Sequence, residues 1–293
     1  MLSILIVNWN TREMLHACLS SIQKFPPSED WEVIVVDNAS TDGSAAMVRE
    51  FFPEVTLIEP GANLGYAAGN NAAFEQAKGE WLLTLNPDTE FIDDSLQKAI
   101  DSLKAKPEYG ALGARLIDPP ASGKTQASVR GFPTLIGIFG DLTGLGRLFP
   151  RSALGSYRLL AFDYAKEGPA PQPMGTFLLF RREAVEAVAP GKPLRPFDES
   201  FPIFFNEVDL LERMAKAGGP TVYDPEVAVI HHGGQSTRQV RPAMIWESHR
   251  SLIKYLRKHS GPVKRVLVLP FVQCLIWLGA LIRAKGWSAG FRP

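Results

Sequence analysis

The chemistry in this chain is most legible where its apolar runs end. Asp37 directly follows Val33-Ile34-Val35-Val36, and Asp88 closes the Asn86-Pro87-Asp88 turn after Trp81-Leu82-Leu83-Thr84-Leu85. A carboxylate at the end of a buried strand costs stability unless a cation or a hydrogen-bond donor meets it. Both therefore read as ligand contacts. Other polar residues gather at equivalent places: Asn8 and Asn10 after the first apolar run, Asn38 after the second, and Asn63-Leu64-Gly65 after the third. Asp and Asn also serve as turn and cap residues, and for Asp42 and Ser44 that plainer role is the better account. Further along, an apolar run ends in His231-His232, and a helical stretch opens with Asn206-Glu207-Val208-Asp209. Acids at a helix start are favoured by the macrodipole whether or not they react.

The elements that must position these residues alternate in type. Four apolar runs, at 3–7, 32–36, 55–58 and 81–85, have the length and composition of buried parallel strands. Helical stretches lie between them, near 12–24, 42–51 and 66–77, each closed by Pro or Gly. Such alternation predicts an α/β fold with a mainly parallel, Rossmann-like sheet flanked by helices. In such sheets ligands bind beyond the carboxyl ends of the strands, where the polar cluster falls. From 119 to 172 the periodicity breaks down, as in a functional loop or lid. A strand at 174–180, a helix at 182–188, a helix at 206–217 and a strand at 227–230 follow, and from 243 the chain reads as helical.

Six segments in order, VVDNASTDGS, NLGYAAGNN, LLTLNPD, MGTFLLFRREA, FDESFPIFFNEVDL and VIHHGGQS, resemble family-2 glycosyltransferases of the GT-A fold, particularly the rhamnosyltransferase-like branch. The resemblance spans about residues 2 to 240. It implies a nucleotide diphosphate sugar donor, with Asp37 at the base, Asn63 and Gly65 in the nucleotide pocket, and Asn8, Asn10, Asn38 and Asn86 beside them. It implies that Asp88 binds a divalent cation, Mg²⁺ or Mn²⁺, shared with the donor diphosphate and water. The family's Asp-x-Asp begins here with Asn86, leaving one carboxylate. His231 matches the family's metal histidine; His232 competes for the role, but strand neighbours point oppositely. The family's base is an Asp in Glu-Asp-x-Asp-Leu; here Glu207 takes that place, with Asp209 as the lesser candidate. The implied reaction is a single inverting displacement, and 1–118 and 119–242 become the donor-binding and acceptor-binding halves.

Composition sets further bounds. No acidic residue follows Glu247, whereas nine of the 31 Lys and Arg do, so residues 243–293 form a basic tail. Its charges alternate with apolar runs, which points to an anionic membrane surface rather than nucleic acid. Residues 266–282 are apolar except for Gln273 but shorter than the ~20 residues of an ordinary span. An in-plane helix with Trp277 and Trp287 at the interface is the preferred reading, against spanning or burial on protein. The first residues lack a signal-peptide pattern, so a cytoplasmic, peripheral location is expected. Cys18 and Cys274 are read as buried thiols. With the resemblance, this tail leads to the expectation of a cell-envelope glycan or a lipid-linked precursor as acceptor; a homo-oligomer is left open. The alternative is a catalytically degenerate glycan-binding or scaffold protein, because Asn206-Glu207 departs from the family's pattern.

Overall fold

A computed structural model describes residues 1–119, 123–233 and 241–285. Its centre is a nine-stranded sheet. In chain order the strands are β1 (Leu2–Asn8), β2 (Trp31–Asp37), β3 (Thr56–Ile58), β4 (Trp81–Leu85), β5 (Thr89–Phe91), β6 (Ala111–Ile117), β7 (Val129–Arg130), β8 (Gly168–Pro169), β9 (Gln172–Pro173), β10 (Phe177–Arg181) and β11 (Thr221–His231). The path across the sheet is β3-β2-β1-β4-β10-β6-β11-β5, with β8 added on β11; β7 and β9 form a separate ribbon. The first four strands pair in parallel, while β10 runs antiparallel to both β4 and β6. Every residue of β1 is buried, which explains its unbroken apolar sequence: both faces of the sheet are covered.

One face is packed by α1 (Arg12–Lys24), α2 (Ser44–Phe51) and α4 (Ser95–Lys104), the other by α3 (Gly65–Gln76), α7 (Arg182–Val188) and α8 (Asn206–Lys216). In α4 the buried Leu96, Ala99, Ile100 and Leu103 fall on one stripe, the spacing that seats a helix on a sheet. Each fully buried Leu or Ile in this core stabilises the fold by roughly 1.5–3 kcal/mol.

The segment 123–172 is more ordered than its sequence suggests. It holds α5 (Leu135–Thr143) and α6 (Leu145–Leu148), and the Thr134 side chain caps α5 by accepting from the Gly137 N–H at 3.0 Å. Gly140 sits against the Leu154 backbone with no room for a Cβ; glycine-mediated packing of this kind leaves no apolar periodicity to read. β11 is longer than expected, because the stretch between Asp224 and Ala228 is a register irregularity inside one strand rather than its boundary.

The C-terminal segment packs on the rest of the molecule. α9 (Arg241–His259) is followed by α10 (Pro262–Leu267) and α11 (Leu269–Ala284). Leu269, Val272 and Ile276 of α11 join Ile253 and Leu256 of α9 and Leu135 and Ile138 of α5 in a small core. The opposite side of α10 and α11 is bare, with Val266, Leu267, Phe271 and Ile282 each at least 60% exposed. Among the described residues no helix is long and apolar enough to cross a membrane.

Three expectations for this region change. Cys274 is exposed, although Cys18 is buried as expected. Trp277 is half-buried with its ring 5.4 Å from that of Trp246, so it belongs to the α9–α11 contact; Trp287 lies outside the described residues. Lys258, counted towards a basic surface, is instead paired with Asp198 at 2.8 Å and Asp209 at 2.7 Å.

Candidate active site

Strand register assembles the site. Asn8 on β1 is aligned with Asp37 on β2. Phe177 on β10 is aligned with Leu85 on β4, so the turn after β4 begins beside Thr176, whose carbonyl accepts from the Asn86 N–H at 2.9 Å. His231 on β11 is aligned with Thr89 on β5, and the His232 N–H donates to the Asp88 carbonyl at 3.0 Å. Two segments more than 140 residues apart in sequence are thereby clamped side by side.

Across that clamp His231 Nε2 faces Asp88 Oδ1 at 3.6 Å. Both side chains are buried, and Asp88 Oδ1 has no hydrogen-bond partner among the described residues. Burial lowers the His231 pKa, with the Asp88 charge opposing it, so the imidazole is held towards its neutral form. His231 Nδ1 lies 2.8 Å from Gln126 Oε1, and Gln126 Nε2 donates back to the His231 carbonyl and to Asp118 Oδ1, each at 2.9 Å. With Nδ1–H donating to the glutamine, Nε2 presents its lone pair to Asp88. Thr176 Oγ1 stands 3.3 Å from the same nitrogen. His232 points the other way and pairs with Glu90 at 2.7 Å, as strand alternation requires.

A partnerless buried carboxylate oxygen beside a neutral imidazole nitrogen suits a hard or borderline divalent cation. Two ligands about 2.1 Å from one ion at right angles lie ~3 Å apart, so a slight side-chain adjustment closes the pair. Among the described residues no group of three or more His, Cys, Asp or Glu converges; these two side chains fit part of a coordination shell rather than a complete one.

The pair opens into a cavity of about 610 Å³. Asn38, Asn63, Gly65, Tyr66, Asn86, Asp88, His231 and Glu207 all line it. The Asn38 amide donates to the Gly65 carbonyl at 3.0 Å, and Asn63 Oδ1 accepts from the Gly65 N–H at 2.9 Å. Gly65 has φ +81°, and a Cβ there would stand 2.9 Å from the Pro202 carbonyl oxygen. That carbonyl caps α3 by accepting from the Tyr66 and Ala67 amides.

Asp37, Asn8 and Asn10 do not line this cavity. Asn8 donates to Asp37 Oδ1 at 2.8 Å, Asp37 Oδ2 accepts from the Ser40 N–H at 3.1 Å, and Asn10 Oδ1 accepts from the Thr41 N–H at 2.8 Å. They brace the loop after β2, next to Asn38.

Glu207 lies in the first turn of α8. The preceding Phe205 has φ 68°, a strained conformation for a non-glycine residue that turns the helix start towards the cavity. Burial raises the Glu207 carboxyl to about 7, against the opposing pull of hydrogen bonds from its own and the Val208 amide. Gly175 passes over it, and a Cβ there would be 3.2 Å from Glu207 Cγ. A carboxylate that titrates near neutrality and faces a cavity is suited to accept a proton.

Asp209 is not brought to the cavity. Successive helical residues are rotated by ~100°, so two positions on it faces away from Glu207. It is fully buried and meets Arg213 Nε at 2.9 Å, Lys258 Nζ at 2.7 Å and His259 Nε2 at 2.8 Å. Burial alone would raise its pKa, but hydrogen bonds from His259 and Lys258 bring it to about 2. Asp209 fastens α9 to α8. Its rotation was readable from helical spacing; the cationic partners were not.

The remaining wall was not anticipated from sequence. Arg130, Asp141, Tyr157 and Arg158 from the central segment face it, as do Met244, His249 and Leu252 of α9 and Arg283 of α11. These residues lie in stretches without a recognisable motif, and only the tertiary packing of α5 against α11 brings them together.

A mainly parallel sheet carrying an Asn-Pro-Asp turn, a facing histidine and a helix-borne glutamate around one cavity has the layout of a sugar-transferring enzyme with a GT-A fold. The chain belongs to glycosyl transferase family 2, whose model matches residues 3–188, and is a glycosyltransferase of the rhamnosyltransferase-like kind. It is similar to the N-acetylglucosaminyl-diphospho-decaprenol L-rhamnosyltransferase of Mycobacterium tuberculosis, 32% identical over 245 residues, covering 78% of this chain and 76% of that protein. Among solved structures, the mannosyltransferase PcManGT from Pyrobaculum calidifontis in complex with GDP-Man and Mn²⁺ shares the fold, with TM-score 0.59, 20% identity and coverage of 100% of this chain and 76% of that one. So does S. aureus TarS in complex with UDP-GlcNAc, with TM-score 0.57, 15% identity and coverage of 96% and 74%.

Proposed function

We propose that the enzyme transfers a sugar, L-rhamnose in the first instance, from a nucleoside diphosphate donor to a hydroxyl of a lipid-linked saccharide, with inversion and with a divalent cation, Mg²⁺ or Mn²⁺. The observation that carries this is the partnerless Asp88 Oδ1 facing His231 Nε2 in the same cavity as Glu207. The sugar and the lipid-linked acceptor are taken from the mycobacterial relative's name, and the cation gains support from the Mn²⁺ of the mannosyltransferase complex.

Asp88 and His231 would hold the cation, completed by donor diphosphate oxygens and water. When bound, it supplies neutralisation of the charge that grows on the departing diphosphate. Asn38, Asn63 and Gly65 border the space for the nucleotide. Glu207 accepts the acceptor's hydroxyl proton as that oxygen attacks the anomeric carbon; the bond from that carbon to the diphosphate oxygen breaks, and the nucleoside diphosphate leaves. Attack opposite the leaving group inverts the centre, and no covalent enzyme intermediate is needed. The bare apolar face of α10 and α11, flanked by Lys264, Arg265 and Lys285, would lie on the anionic inner face of the membrane, where a lipid-linked acceptor is presented.

The test is a transfer assay with dTDP-rhamnose and N-acetylglucosaminyl-diphospho-polyprenol in detergent. The product's anomeric configuration is read by NMR and its formation followed with Mn²⁺, Mg²⁺ or chelator. Inverted product that disappears on chelation supports the proposal. Retained configuration, or full activity in chelator, would overturn it.

A further inference from the structure

The cavity that holds the Asp88–His231 pair is also lined by arginines that the proposed donor contacts do not include. Arg130, Arg158 and Arg283 all line it. Arg158 is held by Asp141 through two hydrogen bonds, Nε to Oδ1 at 2.5 Å and the terminal nitrogen to Oδ2 at 3.2 Å. Arg130 and Arg283 make no ion pair among the described residues. Arg130 lies over the Tyr157 ring at 5.6 Å, a contact that orients the guanidinium without neutralising it. Arg283 stands close enough to His249 for its charge to help depress that imidazole's pKa, after the larger effect of burial. Two guanidinium groups with no ion pair among the described residues, bordering one cavity, offer a place for an anion. Guanidinium groups bind phosphate oxygens in paired hydrogen bonds.

The position of Arg283 identifies the kind of anion. It follows Leu281 and Ile282 on α11, which are 42% and 67% exposed, and Leu278 one turn earlier is 54% exposed. A single helix end thus presents a cation to the cavity and bare apolar side chains to the outside. Leu148 at 72% and Phe149 at 55% exposed end α6, which directly follows α5 in the chain. α11 is joined to α5, the helix before α6, by Phe139 and Phe271, whose rings are 6.2 Å apart, and by Leu142 beside Gly279. Exposed apolar side chains thus lie beside Arg283 on α11 and on the α5–α6 unit packed against that helix.

The geometry points to Arg130 and Arg283, with Arg158 beside them, as the site for the diphosphate of a lipid diphosphate acceptor whose hydrocarbon chain leaves over α11 and α6. This rests on the reading of the acceptor as lipid-linked. It adds a second diphosphate site to the cavity that Asp88 and His231 also line. The saccharide of a lipid anchored there extends inward, towards Glu207.

The test uses the full chain and phosphatidylcholine vesicles doped with farnesyl diphosphate, with farnesol-doped and phosphatidylglycerol-containing vesicles as controls. Binding is measured by co-sedimentation for the wild type, Arg130→Gln and Arg283→Gln, with folding checked by circular dichroism. In parallel, protection by UDP, GDP and dTDP with Mn²⁺ is followed by thermal unfolding. The expected result is preferential binding to farnesyl diphosphate vesicles, weakened about tenfold or more by either substitution, with nucleotide protection kept. Unchanged affinity in both variants would overturn the assignment. So would equal binding to phosphatidylglycerol vesicles, or loss of nucleotide protection in the variants, which would give the arginines to the donor. Wild-type protein that binds farnesyl diphosphate but is protected by no nucleotide would refute the proposed transfer reaction while leaving this site standing.

Discussion

Replacing Glu207 with Gln separates the two things this residue does. Burial raises its carboxyl from 4.5 to about 7. The folded state therefore holds a proton there that the unfolded chain has released, and the stability this contributes is complete below pH 4.5 and lost as pH rises through 7. At ~1.4 kcal/mol per pH unit, the ionised side chain costs the ligand-free fold about 3 kcal/mol above pH 7. Glutamine keeps the shape and cannot ionise. Glu207→Gln is thus expected to exceed the wild type by up to ~3 kcal/mol at pH 8, roughly 5–10 °C in midpoint for a domain of this size, and to match it below pH 4.5. Thermal unfolding across a pH series, without ligands, reads this directly. The same change removes the proton acceptor, so transfer should fall by about 10²–10⁴. In the wild type, kcat/KM should decline tenfold per unit below a limb near pH 7 that the variant lacks. Equal stabilities at pH 8 would refute the burial argument, and turnover within a few-fold of the wild type would refute Glu207 as the base.

Other outcomes follow from the same geometry. Asp209→Asn removes a buried charge from among Arg213, Lys258 and His259 and should cost about 3–5 kcal/mol in urea unfolding. Because the folded pKa of Asp209 is about 2 against 3.8, its contribution is present above pH 3.8 and lost as pH falls through 2; acid unfolding of the variant should begin at higher pH. Gly65→Ala meets both a positive φ and the Pro202 carbonyl, and a loss of roughly 1–3 kcal/mol with weaker nucleotide protection is expected. Gln126→Ala frees the His231 ring, and about 10–100-fold weaker Mn²⁺ affinity is expected, measured as a correspondingly higher metal concentration for half-maximal activity.

Much of this site could be read from the chain because its chemistry sits where apolar runs stop. Asp88, His231 and Glu207 each follow or begin a strongly patterned element, and the alternation of strands correctly turned His232 away. Asp37 was placed at the right strand end, but the sequence could not show that Asn8 and Ser40 would occupy its oxygens. The antiparallel insertion of β10 between β4 and β6 was also beyond reach, since a buried strand looks the same in either direction. Most hidden was the arginine-lined wall. Its residues come from a glycine-packed segment without periodicity and from a tail whose charges resembled a simple basic surface; only the packing of α11 on α5 makes them neighbours.

The central claim is that Asp88 and His231 hold a cation with a nucleotide sugar. The most direct measurement is the thermal unfolding midpoint of the protein with a panel of nucleotide sugars, in Mn²⁺ and in chelator, for the wild type, Asp88→Asn and His231→Ala. A donor at 100 times its Kd adds about 2.7 kcal/mol. A matching rise is expected with one base and sugar, abolished by chelation and by either substitution. A donor-dependent rise that survives both substitutions, or no rise with any donor in folded wild-type protein, would contradict it.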